Sequence, residues 1–252
     1  MVIIVIQARM GSTRLPGKVL IPIAGRPMLS YQLERLRHCK QVGRIVIATT
    51  VLPDDAAIVD FCASEGADYM RGSEQDVLSR YADAARAFGA TIVVRITSDC
   101  PLIEPGLVDD AITEFQSGAC DYVSNMIKPT WPYGMAVEVM SCEALLQADA
   151  EARDPAEREH VTPFLYWRPE RYRLKSMTME PDLSSHRWTV DTPEDFELVS
   201  NILTTLYPRR PDFTIADVLD VLRENPSWEN VNRHVRQKSA RADRDASPSK
   251  GA

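Results

Sequence analysis

The stretch Val2-Ile3-Ile4-Val5-Ile6-Gln7-Ala8-Arg9-Met10-Gly11-Ser12-Thr13-Arg14-Leu15-Pro16-Gly17-Lys18 decides the fold. Residues 2–7 begin as an unbroken β-branched run, the pattern of a strand buried on both faces. A loop rich in glycine and proline follows, and Pro27 suits the first turn of the next helix. A buried strand that runs into Gly11-Ser12-Thr13-Arg14 and on to Gly17-Lys18 is equipped to hold phosphate. Glycines let backbone N–H groups approach an anion closely. Ser12 and Thr13 add hydroxyl donors, Arg14 a planar fork and Lys18 a compact charge. Open parallel sheets bind ligands beyond the carboxyl ends of their strands, which is where this loop falls.

Working outward, Met28, Leu29, Leu33 and Leu36 recur at helical spacing, and 44–49 reads as a second buried strand. Asp54 and Asp55 are placed to cap a helix carrying Ile58, Val59, Phe61 and Cys62. A short strand at 68–70, a helix marked by Val77, Leu78, Tyr81 and Ala85, and a buried strand at 91–96 continue the rhythm. Strand and helix alternate about every 20–25 residues through residue 118, which gives a parallel sheet with helices on both faces. Beyond 120, strands are expected near 120–124, 135–140 and 172–178, with helices near 142–152, 156–168, 194–206 and 214–224. The fold class expected is a single-domain, three-layer α/β/α protein with a mostly parallel central sheet and some antiparallel strand in the later half. The domain spans 1–235. Residues 236–252 form a tail too polar to offset its ordering entropy, so it is expected to be disordered.

Bulk properties narrow the function. The chain has 252 residues, 44% hydrophobic and 26% charged, with a net charge of −7. An acidic chain is a poor sequence-independent binder of nucleic acid, which needs a basic face. The five cysteines include no C-x-x-C pair, and free thiols fit a reducing cytoplasm. No segment approaches the roughly 18 apolar residues of a membrane-spanning helix, and the amino terminus lacks signal-peptide flanks. A cytoplasmic protein without nucleic-acid or membrane partners is expected.

Counting removes two familiar phosphate loops. The Walker loop needs four residues between its glycines and Ser or Thr after its lysine. Here five separate Gly11 from Gly17, and Val19 follows Lys18. The dinucleotide fingerprint G-x-G-x-x-G is absent. Two later segments each end a strand with a carboxylate, where the strand meets a loop: Arg95-Ile96-Thr97-Ser98-Asp99-Cys100-Pro101-Leu102 and Arg187-Trp188-Thr189-Val190-Asp191-Thr192-Pro193-Glu194-Asp195. Asp99 and Asp191 are either helix N-caps or two carboxylates facing one crevice. Magnesium takes a few carboxylates plus substrate phosphates and water, the set these aspartates and a triphosphate would provide.

The loop A-x-x-G-S-T-R-L-P-G-K resembles the signature of sugar cytidylyltransferases, the family that makes CMP-activated acidic sugars, and within it the spore-coat polysaccharide biosynthesis protein F branch. The resemblance covers about residues 2–230. It implies a GT-A-like nucleotidyltransferase that moves CMP from CTP to a sugar hydroxyl and releases pyrophosphate, in surface polysaccharide or glycoconjugate biosynthesis. Carried over residue by residue, it makes Asp99 and Asp191 the Mg²⁺ ligands and, with Arg14 and Lys18, the catalytic set. Ala8, Arg9, Gly11, Ser12, Arg14, Lys18, Arg71 and Ser98 become the nucleotide contacts, with backbone N–H groups near Gly11 and Ser12 on the phosphates. Asp195 becomes an exposed first-turn residue.

Arg71 also reads as a solvated arginine ahead of a helix, with Ser73 and Asp76 as caps. Glu138, between two valines in an alternating stretch, either binds the acceptor or pairs with an arginine of the fold. His160, in Glu157-Arg158-Glu159-His160-Val161-Thr162-Pro163, is either a satisfied structural histidine or a substrate-pocket residue. The resemblance further implies a homodimer, with 125–140 as the region placed beside a partner's sugar. Two rivals remain at this level. A nucleotide-sugar-dependent glycosyltransferase can share the sheet, but its usual D-x-D motif is absent around Asp99. A non-catalytic nucleotide-binding protein would not require Lys18, Asp99 and Asp191 together.

Overall fold

The computed structural model describes residues 1–237. The tail read at 236–252 therefore lies, from residue 238 on, outside the described residues. Nine strands are present among them: β1 (Val2–Gln7), β2 (Pro22–Ile23), β3 (Arg26–Pro27), β4 (Arg44–Thr50), β5 (Asp68–Gly72), β6 (Ile92–Thr97), β7 (Tyr122–Ser124), β8 (Glu138–Ser141) and β9 (Leu174–Ser176). The helices are α1 (Met28–Leu36), α2 (Ala56–Glu65), α3 (Val77–Ala87), α4 (Pro105–Gln116), α5 (Cys142–Glu151), α6 (Pro155–His160), α7 (Pro163–Tyr166), α8 (Pro193–Leu206) and α9 (Ile215–Glu224). Strands β2 and β3 form a small separate hairpin; the other seven make one sheet in the order β5-β4-β1-β6-β8-β7-β9. Only β8 runs against its neighbours, antiparallel to β6 and β7. The expected antiparallel strand is thus a single one.

Alternation along β1 divides the core. Ile4 and Ile6 join a cluster with α1, α2, α4, α8 and α9, while Ile3 and Val5 join one with α3, α5 and α7. Both faces of the sheet are covered, the three-layer arrangement expected for strands that read as continuous apolar runs. From β1 the chain winds to one side through β4 and β5, then returns to place β6 on the other side. The carboxyl ends of β1 and β6 consequently flank a crevice, the usual ligand position of an open α/β sheet.

The helix expected over 156–168 is two helices. Val161 takes φ 72°, left-handed for a β-branched residue, and Pro163 starts the second helix at its first position. No helix among the described residues is long and apolar enough to cross a membrane.

Candidate active site

A cleft of about 880 Å³ opens at the ends of β1 and β6, and Ala8, Arg9, Ser12, Arg14, Lys18 and Ser98 line it. The loop after β1 is held from below. Asp55, at the start of α2, makes no side-chain cap to its own helix. Its buried carboxylate instead accepts from Met10 N–H at 2.6 Å and from the Thr50 hydroxyl. The loop then folds on itself: Ser12 N–H and Gly17 N–H both donate to Met10 O at 2.9 Å. Gly17, at φ 67°, makes the left-handed turn that aims Lys18 inward. Ser12 N–H is therefore committed within the loop rather than free for phosphate. Among the described residues, the amides of Gly11, Thr13 and Arg14 donate to no protein group, so they are the ones open to an anion.

Lys18 gathers the two carboxylates. Its Nζ lies 2.9 Å from Asp191 Oδ1, 3.5 Å from Asp99 Oδ2 and 2.7 Å from Val190 O. The loops carrying the aspartates are joined directly, since Val190 N–H donates to Asp99 O at 2.9 Å. Arg14 reaches Asp191 Oδ2 at 2.9 Å. Burial alone would lower the Lys18 pKa, but the charges of Asp99 and Asp191 outweigh it and raise the value above 10.5. Burial would likewise raise the Asp191 pKa; Lys18, Arg14 and Arg187 instead hold it below 3.8. Asp99 is oriented by the Thr97 hydroxyl, 2.5 Å from its Oδ1. Neither aspartate is a helix cap: Glu104 precedes α4 and Thr192 caps α8.

Asp195 corrects an expectation. It is not an exposed first-turn residue but is completely buried. It completes a capping box with Thr192. Its carboxylate also accepts from Asp191 N–H at 3.0 Å, from Arg187 Nε and Nη2 at 2.8 Å, and from Asn232 Nδ2 at 2.8 Å. Arg187 Nη2 in turn reaches Asp191 Oδ2 at 3.1 Å. Asp195, Arg187 and Asn232 thus fix the backbone and one oxygen of Asp191. A capping box is legible in Thr192-Pro193-Glu194-Asp195, but the two distant partners that bury it are not.

The turn at Trp131-Pro132-Tyr133-Gly134 braces the same loop. Tyr133 N–H donates to His186 O at 3.0 Å, and Trp188 N–H returns to Tyr133 O at 2.6 Å. Gly134, at φ 103°, lies so close that an added Cβ would stand 2.6 Å from Thr189 N.

The remaining candidates scatter. Arg71 is not brought to the cleft; its guanidinium donates to the carbonyls of Thr50 and Leu52 at 2.8 and 2.9 Å. Asp76 caps α3 through Ser79 N–H, as read, and Ser73 accepts from Asp76 N–H. Glu138 is buried and takes the structural course: Arg95 pairs with Oε1, and the Tyr122 hydroxyl donates to Oε2 at 2.6 Å. His160 does line the cleft, from the last turn of α6. Sequence reasoning passed over Gln7, which lines the cleft at the end of β1.

The donors present fit a magnesium ion shared with a triphosphate. Two carboxylates from separate loops converge on one cation, here the Lys18 ammonium. Among the described residues no cluster of three or more His, Cys, Asp or Glu could hold a metal, so phosphate and water would complete the shell of a magnesium ion.

A family model described as "Cytidylyltransferase" matches residues 3–210. The spore coat polysaccharide biosynthesis protein SpsF of Bacillus subtilis is 31% identical over 235 residues, covering 89% of this chain and 95% of its own. A solved cytidylyltransferase from Leptospira borgpetersenii serovar Hardjo-bovis superposes with a TM-score of 0.86 at 32% identity, covering 94% of this chain and 98% of that one. A 3-deoxy-manno-octulosonate cytidylyltransferase of Trichlorobacter lovleyi is 35% identical over 116 residues, 45% of this chain and 44% of its own.

Proposed function

The chain belongs to the cytidylyltransferase family, and from that premise we propose that it transfers CMP from CTP to a hydroxyl of an acidic, sugar-like acceptor through Arg14, Lys18, Asp99 and Asp191. One observation carries the assignment: Lys18 of the phosphate loop meets both Asp99 and Asp191, from three separate parts of the chain. The acceptor oxygen forms a bond to the α-phosphorus as the bond from that phosphorus to the β-phosphate bridge breaks, and pyrophosphate leaves. Charge spreads over the phosphate oxygens, so positioning and electrostatics dominate. Arg14 and Lys18 neutralise the triphosphate and the departing pyrophosphate. The free amides of Gly11, Thr13 and Arg14 hold phosphate oxygens, and Ala8, Arg9 and Ser98 border the nucleoside. Asp99 and Asp191 would hold Mg²⁺, which when bound polarises the phosphoryl oxygen and acidifies the attacking hydroxyl.

Two relatives support the acceptor class in this reading: a spore-coat polysaccharide protein and, over 45% of this chain, an enzyme named for 3-deoxy-manno-octulosonate. The five cysteines are free thiols, which supports a reducing, cytoplasmic setting. A second copy is the protein partner in this reading. Most of 125–140 is bonded within its own chain, through Asn125 to Met135 and Val137 and through Tyr133 to His186. Its exposed tip at 127–129, with Ile127, is the part left to face a partner. Family membership removes the ground for the glycosyltransferase alternative. The deciding experiment screens four nucleoside triphosphates against 3-deoxy-manno-octulosonate, a nonulosonic acid and simpler hydroxy acids, read by pyrophosphate release. Release with CTP and an acidic sugar is expected; release of free nucleoside mono- or diphosphate from a nucleotide sugar would overturn the proposal.

A further inference from the structure

A chain of buried polar groups under the sheet ends at the cleft in one side chain, Gln7. Glu138 and Arg95 stand directly opposite each other on β8 and β6 and form an ion pair. Both Glu138 oxygens are occupied, by Arg95 and by Tyr122. The second arm of Arg95, Nη2, donates to Gln7 Oε1 at 3.0 Å. Tyr81 Oη lies 3.2 Å from the same oxygen and 3.3 Å from Ile96 O, sharing its one proton between them. A guanidinium can only donate, so the Gln7 amide cannot be flipped without facing donor to donor. Its oxygen is fixed inward and its N–H₂ is left as the end available to the cleft that Gln7 lines.

We propose that Gln7 is an acceptor-binding residue: its side-chain N–H₂ donates to an oxygen of the sugar-like acceptor, and Arg95 and Glu138 are positioning residues that hold it so. The inference rests on the cytidylyltransferase reading above. Two placements favour the acceptor over the base. Gln7 pairs in register with Thr97, whose hydroxyl orients Asp99, so it stands one strand spacing, about 4.8 Å, from the residue beside the reacting centre. Strand alternation puts it on the face of Val5, Tyr81 and α3, whereas Val190, which precedes Asp191, packs on the other. A donating N–H₂ also suits the hydroxyl and carboxylate oxygens of an acidic sugar.

The test uses Gln7→Glu, which keeps an oxygen for Arg95 but exchanges the N–H₂ for a charged oxygen, and Gln7→Met, which removes the donor without adding charge. Pyrophosphate release is measured with CTP and 3-deoxy-manno-octulosonate, or with whichever acidic sugar of the panel the wild type uses, and CTP binding is followed by calorimetry. Gln7→Met is expected to bind CTP within twofold of wild type, which also reports that it folds. The acceptor KM should rise about tenfold in each, and more in Gln7→Glu through charge repulsion. Glu138→Gln should raise the acceptor KM in the same direction. A rise in the CTP Kd with an unchanged acceptor KM would move Gln7 to the nucleotide and overturn the proposal, as would wild-type kinetics in both variants. A wild type that binds CTP yet uses no acceptor of the panel would overturn the function and this proposal together.

Discussion

Lys18 and Asp191 lie 173 positions apart in the chain, yet the ammonium nitrogen and carboxylate oxygen meet at 2.9 Å. The same ammonium reaches Asp99 at 3.5 Å. Two carboxylates brought this near would repel one another without a cation between them. Lys18 therefore holds the two carboxylates together. In the proposed reaction a triphosphate would compete with the aspartates for this ammonium, and the carboxylates so released would be free to hold a metal ion.

Replacing Lys18 by methionine separates these two duties. Loss of a cation aimed at the developing phosphate charge should lower kcat by about 10²–10³-fold. The same change removes the occupant of the space between Asp99 and Asp191, so Mn²⁺ without nucleotide should bind more tightly than to wild type. Calorimetric titration with MnCl₂ and a pyrophosphate-release assay read the two effects. Unchanged Mn²⁺ affinity together with near-wild-type turnover would remove Lys18 from the site.

Asp195 does not itself line the cleft, yet its loss should be felt there through Asp191. Alanine would leave the Arg187 guanidinium buried beside Asp191 with one partner gone, and Asn232 with only the Arg187 carbonyl to accept from it. Breaking a buried pair on one side costs about 3–5 kcal/mol. The urea midpoint of Asp195→Ala should drop accordingly, while Asp195→Asn, which preserves shape and one acceptor, should lose less. An Asp195→Ala midpoint equal to wild type would contradict the burial of this carboxylate.

How far the sequence discloses this arrangement depends on the range of the forces involved. β1, β4 and β6 are legible because a strand covered on both faces must be apolar along its whole length, and 2–6, 45–48 and 92–94 are. The phosphate loop is legible because its glycines, hydroxyls and cations are contiguous. Asp99 is legible as a strand-end carboxylate after β6, but the strand expected before Asp191 is not formed: only an isolated bridge at Arg187 stands there, and the two aspartates meet because Val190 N–H donates to Asp99 O, a contact without a local signature. Glu138 shows its burial through the flanking valines, whereas its partner sits on a strand placed next to it only by the sheet order. Arg71 looks the same in sequence whether it faces a ligand or two loop carbonyls. The break after His160 was within reach, since Thr162-Pro163 is a helix start; the apolar run that continues past it masks the signal.

Gly134→Ala should injure the site from a distance. The residue sits at φ 103°, where a side chain is strained by about 1–3 kcal/mol. The new methyl would also stand 2.6 Å from Thr189 N, two residues before Asp191. Relief requires the 187–191 loop to shift, so both the thermal midpoint and kcat should fall, with CTP affinity less affected. Turnover equal to wild type in a destabilised Gly134→Ala protein would show that this turn supports the fold without setting the position of Asp191.

The Lys18–Asp191 pair also fixes an expected pH response. Asp191 is held below 3.8 because Lys18, Arg14 and Arg187 outweigh the opposing effect of burial. A depressed carboxylate contributes stability that is complete above its unfolded pKa and is lost as pH falls through the folded value. Lys18 is raised above 10.5, burial being outweighed by Asp99 and Asp191. A raised ammonium contributes stability that is complete below its unfolded pKa and is lost as pH rises through the folded value. Neither charge changes from about pH 5 to about pH 9. The gap between the urea midpoints of wild type and Asp191→Asn should therefore stay level across that range. Below about pH 4 it should narrow, because the unfolded wild-type chain takes up a proton at Asp191 before the folded protein does, and the asparagine is not titratable. A gap that already narrows between about pH 7 and pH 5 would mean that Asp191 is not held in its charged form by these three cations.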